Sequence, residues 1–280
     1  MEPIDVAITF DIERDTSIEA VMPKIIRLFE RYDAVGTWFL KHDYTDQFTE
    51  YTGAVVEDFP DIARALADVG EIGTHIHFRD VDGTFSMAPN LQRDLLEQAT
   101  ESLRSRGYDA TSFRGGNLCA DTTTLNILED LDYAVDSSVL PGHYRELPDG
   151  VVVDHRGEVG NRPYRPAQES HTTHGDRALL EVPVSGLSPL DSISVDRSLT
   201  GVYNRAADHR PLDRLLPPMY HLWGWMSRAP IVLLFHDHEF GTDDGSLVVL
   251  ERFLHSVATS PWFQFATVGD IAAGRRSGSQ

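Results

Sequence analysis

Cysteine and lysine are what this sequence has least of. It has 280 residues and a single cysteine, Cys119, which excludes an internal disulfide and a thiolate-rich zinc cluster. Lys24 and Lys41 are the only lysines, and all other basic residues are arginine. No apolar run approaches the ~20 residues needed to span a bilayer. The opening Met1-Glu2-Pro3-Ile4-Asp5-Val6 has neither the basic stretch nor the apolar segment of a secretory signal. These absences predict a cytoplasmic protein with no membrane span.

Positive charge is equally short. Lysine and arginine total 24 against 44 aspartates and glutamates, a net charge of −20. Phosphate groups are held by clustered Lys and Arg, so this balance excludes nucleic acid and anionic membrane surfaces as partners. Aspartate outnumbers glutamate 28 to 16. An acidic, lysine-poor composition predicts a halophilic protein from a high-salt cytoplasm, where a Debye length of about 3 Å at 1 M screens the self-repulsion.

What is present is ordinary for a folded chain. Hydrophobic residues make up 41% and charged residues 24%, enough for a large buried core. No internal repeat and no linker divides the sequence, which predicts one domain over residues 1–280. Apolar runs alternate with segments of helical period. Strands are expected at Val6–Ile12, Thr37–Lys41, Glu71–Phe78, Ser112–Gly115, Tyr133–Ser137, Leu179–Val184, Ile231–Phe235 and Gln264–Val268. Helices are expected at Ser17–Tyr32 with Ser17 as N-cap, at Phe59–Val69, Leu91–Arg106, Asp121–Leu131 and Ser246–Val257, and at Arg210–Met226 with Pro217 and Pro218 breaking it. The period fails over about residues 140–178, an irregular insertion, and the tail from Gly274 to Gln280 reads as frayed. Strand–helix alternation throughout predicts an α/β fold, a distorted (β/α) barrel of about seven parallel strands, whose functional groups sit just past strand ends.

Five groups occupy such positions. Thr9-Phe10-Asp11-Ile12-Glu13 puts Asp11 and Glu13 on one face by strand period, and adjacent carboxylates are costly unless a cation or proton lies between them. His75 and His77 share a face in the same way, as paired imidazoles in metal sites do. Arg114 precedes the Gly115-Gly116 turn, and Asp136 follows an apolar strand. The buried run Ile231–Phe235 delivers His236, Asp237, His238 and Glu239, four ionisable groups that packing alone does not explain. Each group has a bland reading on its own, as solvated acids, core histidines or turn caps. Together, at one barrel mouth, they offer a divalent metal, a base and an acid, the components of metal-assisted hydrolysis.

These segments resemble the polysaccharide deacetylases of the NodB-homology type, carbohydrate esterase family 4. The likeness runs from about Val6 to Ile271 with the motifs in family order. Thr9-Phe10-Asp11-Ile12-Glu13 is similar to branches that space the two acids by one apolar residue. Phe113-Arg114-Gly115-Gly116-Asn117 and Tyr133-Ala134-Val135-Asp136-Ser137-Ser138-Val139 resemble the third and fourth motifs. Leu233-Leu234-Phe235-His236 resembles the late Leu-x-Leu-His motif, and Phe265-Ala266-Thr267-Val268-Gly269-Asp270 the closing strand and turn. The resemblance implies a seven-stranded distorted barrel, one divalent metal, usually zinc, and removal of acetyl groups from N-acetylated sugars, with a carbohydrate as the substrate partner. It implies Asp11 as general base, Glu13 and His75 as metal ligands, Arg114 holding the base, and Asp136 tuning the acid His236. The Gly115-Gly116 turn would lend a backbone N–H to the oxyanion.

The chain departs from that pattern in two places. Arg79 stands four residues after His75, where the family has a second histidine, so His77 or Asp80 takes the ligand role. His77 shares the face of His75 if the strand continues to Phe78, and it is the expected one. Glu13 replaces an aspartate and is longer by one methylene. Two rival readings exist. A phosphatase built on Asp11-Ile12-Glu13-Arg14-Asp15-Thr16, with Asp243-Asp244 for magnesium, lacks the mid-chain lysine that chemistry needs. A non-catalytic carbohydrate-binding relative would keep the fold and lose the metal. Cys119 reads as a small buried hydrophobe, His171 and His174 as surface residues, and Trp223 and Trp225 as either core or sugar-stacking.

The charge imbalance generates a first prediction. Screening should stabilise a chain of net charge −20, so its melting temperature should rise between 0.1 M and 2 M KCl. Equal melting temperatures in the two salts would remove the saline assignment.

Overall fold

Ile4–Ile12 forms the first strand because six of its nine residues are apolar, and Val6 to Ile12 are all buried. Such a run suits a parallel strand covered on both faces. The structure, a computed structural model, describes residues 2–43, 53–186, 200, 216–240 and 244–274. Its strands are β1 (Ile4–Ile12), β2 (Gly36–Asp43), β3 (Gly53–Ala54), β4 (Gly70–Ile76), β5 (Ser112–Gly115), β6 (Val135–Asp136), β7 (Tyr144–Glu146), β8 (Val152–Asp154), β9 (Pro166–Ala167), β10 (Ser170–His174), β11 (Leu180–Glu181), β12 (Ile231–His236) and β13 (Phe263–Phe265).

Seven of them form a parallel sheet in the order β11-β6-β5-β4-β2-β1-β12, with β13 also on β1 and β3 antiparallel on β2. The sheet curves into a half-barrel. Its two edges are tied by Ser185, which follows β11. The Ser185 N–H donates to the Val232 carbonyl at 3.0 Å, and the Ser185 hydroxyl accepts from the Val232 N–H at 2.9 Å. Inward residues Ala7, Phe39, Val135, Val182, Val232 and Val268 make a small apolar plug. The opposite faces of the strands, with Val6, Ile8, Phe10 and Trp38, join the larger core beneath the helices. Among the described residues no helix is long and apolar enough to cross a membrane.

Several boundaries differ from the sequence expectation for local reasons. The predicted helix at Ser17–Tyr32 is two helices, Asp15–Ala20 and Met22–Arg31, broken at Val21. Pro23 has no N–H to continue the first helix and instead sits in the first turn of the second. Ser17 lies inside the first helix; Arg14 occupies the N-cap without a side-chain cap bond. Pro217 and Pro218 do not break a helix but open one, Leu216–Ser227, because the first turn has no use for their missing donors. Residues 210–215 of that expectation, Asp243, and the tail from 275 to 280 lie outside the described residues. The insertion is not featureless: β7 pairs with β8 and β9 with β10, both antiparallel. The last strand stops at Phe265, and Thr267 caps the helix Val268–Ala273.

Candidate active site

The register of the parallel strands sets the site. Asp11 on β1 is level with His236 on β12, and His75 on β4 is level with Arg114 on β5. All four are therefore delivered to the C-terminal end of the sheet. Glu13 and His77 each lie just past their strands, since β4 ends at Ile76 and not at Phe78 as expected. His77 nevertheless turns inward and joins His75.

Glu13, His75 and His77 bring one donor atom each to a common point, and all three are buried. The His75 Nδ1 lies 3.1 Å from the Arg114 carbonyl. A carbonyl only accepts, so Nδ1 carries the proton and Nε2 presents a lone pair. That Nε2 lies 3.0 Å from His77 Nε2 and 3.5 Å from Glu13 Oε2. His77 Nε2 lies 3.0 Å from the same Glu13 oxygen. Three atoms bound tetrahedrally to one ion at 2.0–2.1 Å would be about 3.3–3.4 Å apart. The observed triangle is close to that, and three electron-rich atoms this near repel unless a cation or proton lies among them. The residues thus fit a small divalent cation. Burial works to raise the Glu13 pKa; with protons on the facing imidazole nitrogens, His75 and His77 outweigh it and hold the carboxyl well below its usual range.

Asp80, the alternative ligand, is exposed and occupied locally: its Oδ1 accepts from the Val81 N–H at 2.7 Å. Arg79 folds back into the same loop, with its guanidinium 3.6 Å from the centroid of the Phe85 ring and a hydrogen bond to the Gly83 carbonyl. Room for His77 comes from Gly116, where a Cβ would lie 1.9 Å from His77 Cδ2.

Beside the triad stands a second group of charges. Arg114 is wholly buried. Its Nη1 donates to Thr9 Oγ1 at 2.8 Å and reaches Asp11 Oδ1 at 3.5 Å. Its Nε and Nη2 donate to the carbonyl and hydroxyl of Ser137 at 2.9 and 2.8 Å. Asp11 Oδ2 is 3.9 Å from His75 Nδ1 and 3.9 Å from His236 Nε2. The His236 side chain is 31% exposed and its Nε2 is also 3.8 Å from Glu13 Oε1. Burial would lower the His236 pKa, but Glu239 at 3.4 Å, Asp11 and Glu13 outweigh it and lift the value to about 9. His238 reaches Glu13 Oε1 at 3.9 Å.

Asp136 does not join this mouth. Its neighbours Val135 and Ser137 face inward, to the apolar plug and to Arg114, so strand alternation turns Asp136 to the outer face. There it accepts from Ser138 Oγ at 2.5 Å and lies level with Glu181 on β11. The largest influences on His236 besides burial come from Glu239, Asp11 and Glu13. The Gly115 N–H, one candidate for an oxyanion, is engaged by Ser138 Oγ at 2.9 Å.

Two contacts escaped the sequence reading. Asp237 is buried, and its carboxylate accepts from the N–H groups of Glu13 at 3.3 Å and Arg14 at 3.0 Å. Glu239 accepts from the backbone N–H of His236 at 3.2 Å. Both stand in the ionisable run after β12, which was the available signal. Of the residues read as bland, Cys119 is buried and its thiol is pushed up to about 12 by burial. Trp223 is core and Trp225 is exposed. His171 is not a free surface residue; burial lowers its pKa, and its ring meets that of His155 edge-on at 5.5 Å.

A family model for polysaccharide deacetylases matches residues 1–135. No protein of curated function matches the chain in sequence. Among solved structures, the chain is similar to a candidate polysaccharide deacetylase from Mycobacterium smegmatis, with a TM-score of 0.64, 18% identity, and coverage of 100% of this chain and 95% of the other. A second candidate polysaccharide deacetylase, from Pseudomonas aeruginosa, gives 0.58 at 15% identity, covering 99% and 93%. An allantoinase gives 0.57 at 14% identity, covering 96% and 90%. At these identities the likeness establishes the shared α/β fold.

The triad geometry predicts a ranking of zinc affinities, read by chelator competition. His77→Ala should weaken binding by orders of magnitude, because ligand count sets affinity. Gly116→Ala should weaken it as well by displacing the His77 ring, and Asp80→Ala should leave it unchanged. Loss with Asp80→Ala and retention with His77→Ala would reverse the ligand assignment.

Proposed function

We propose that this chain is a zinc-dependent hydrolase that removes N-acetyl groups from an amino sugar or glycan. What carries the proposal is the convergence of Glu13, His75 and His77 beside Asp11 and His236 at one mouth of the half-barrel. The polysaccharide deacetylase model over residues 1–135 supports the same chemistry. Two imidazoles and a glutamate are a donor set of catalytic zinc sites, which keep a further position open. A divalent cation bound there supplies Lewis acidity toward a carbonyl oxygen and makes a water easier to deprotonate at neutral pH.

The chain's own groups do the rest. Asp11 takes the proton from the attacking water as general base. Arg114, 3.5 Å from Asp11 Oδ1, fixes the orientation of that carboxylate. His236 stands beside Asp11, level with it on the neighbouring strand, and gives a proton to the departing amine nitrogen. Asp136 and Gly115 take no direct part, since one faces away and the other has its N–H engaged. The net charge of −20 supports a high-salt cytoplasm as the setting.

Zinc content measured with acetate release from a panel of N-acetylated sugars tests this reading. Stoichiometric zinc and released acetate are expected. Sugar binding without zinc or acetate would identify a non-catalytic carbohydrate-binding relative instead. His236→Ala should keep its zinc and lose about 10²–10⁴-fold in acetate release, the usual worth of a general acid. A folded His236→Ala protein without zinc would make His236 a ligand.

A further inference from the structure

The outer face of the half-barrel holds a second pair of acids that the proposed reaction does not use. Glu181 on β11 lies level with Asp136 on β6, and both are buried, at 1% and 0% exposure. Tyr164, from the insertion, bridges to Glu181 through backbone hydrogen bonds in both directions and covers the pair. Its hydroxyl turns away to the His171 carbonyl at 2.5 Å.

The cation nearest this pair is Arg114, and its hydrogen bonds run to Thr9, Asp11 and Ser137. Asp136 Oδ1 accepts from Ser138 Oγ at 2.5 Å, and Glu181 Oε1 accepts from the Val139 N–H at 3.0 Å. Asp136 Oδ2 is buried with no such donor. Two ionised carboxylates side by side without a bonded cation repel strongly in a buried setting, and one proton between them removes both the repulsion and the unmet acceptor.

We infer that Asp136 and Glu181 share one proton, as a singly charged dyad that fastens the ends of β5, β6 and β11 behind the active site. Burial raises the pKa of both groups, with Arg114 opposing it. Tyr164 is the other titratable group against the pair, and its hydroxyl stays neutral because burial raises it too. The fastening runs through Ser138, whose hydroxyl donates to Asp136 and accepts from the Gly115 N–H at 2.9 Å. Gly115 leads directly into Gly116, against which the His77 ring packs. Glu181 is therefore a positioning residue that acts through Asp136 and Ser138. This inference holds whatever the site binds.

The folded pair keeps a proton that the unfolded chain releases above about pH 4. Its contribution to stability is therefore complete below that pH and declines as pH rises toward the raised folded value. Denaturant unfolding of the wild type and Glu181→Gln between pH 5 and 7 isolates the effect. The amide mimics the protonated acid permanently, so the ratio of the variant's folding constant to the wild type's should rise with pH, by up to about tenfold per unit. A ratio independent of pH would overturn the inference. Should Glu181→Gln fail to fold, infrared spectroscopy of the wild type at pH 7 decides: a protonated carboxylic acid carbonyl stretch is expected, and its absence refutes the shared proton.

Discussion

Arg114 is the residue on which the rest of the site depends. Its side chain lies in the barrel interior without solvent, bonded to Thr9 and Asp11 on one side and to Ser137 on the other, with the guanidinium 4.5 Å from the centroid of the Phe39 ring. Its main chain has a separate task, since the Arg114 carbonyl fixes the tautomer of His75. One residue thus orients the Asp11 carboxylate through its side chain and the His75 imidazole through its backbone. Breaking a buried charge pair by removing one partner costs about 3–5 kcal/mol, so this position is constrained by stability as much as by chemistry.

The sheet order explains why the charges separate into two functions. β1 is flanked by β2 and β12, and β5 by β4 and β6. Acids on the inward face of β1 meet the histidines of β4 and β12 across the mouth. Acids on the outward face of β6 and β11 meet each other, Ser138 and the Val139 N–H, with Tyr164 of the insertion beside them. A difference of one residue along a strand decides which environment a carboxylate enters.

Much of this was legible in the sequence. The long apolar runs of β1 and β12 announce themselves because strands buried on both faces leave no polar alternation. His75 and His77, and Asp11 and Glu13, were readable as pairs from a spacing of two. What was not legible is long-range pairing. β6 and β11 are two residues each in length, too short to show a period, and Glu181 reaches Asp136 only through the register of distant segments. The role of Asp136 in tuning His236 came from resemblance, whereas its side-chain partner in the structure is Ser138. Pro217 and Pro218 were read as breakers because a proline's effect depends on whether it lies in the first turn or the interior, and the pattern on one side alone does not tell these apart.

The clamp formed by Asp237 links parts of the site that are distant in sequence. Its carboxylate holds the backbone of Glu13 and Arg14, and the residue itself follows His236 directly. The donor that would bind the cation and the imidazole that would protonate the leaving group are thus attached to one rigid corner. Thermodynamic reciprocity then applies between them. To whatever factor cation binding draws the β12 corner inward, drawing that corner inward tightens the cation by the same factor. A change in the position of this corner would therefore be felt at Glu13 and at His236 together.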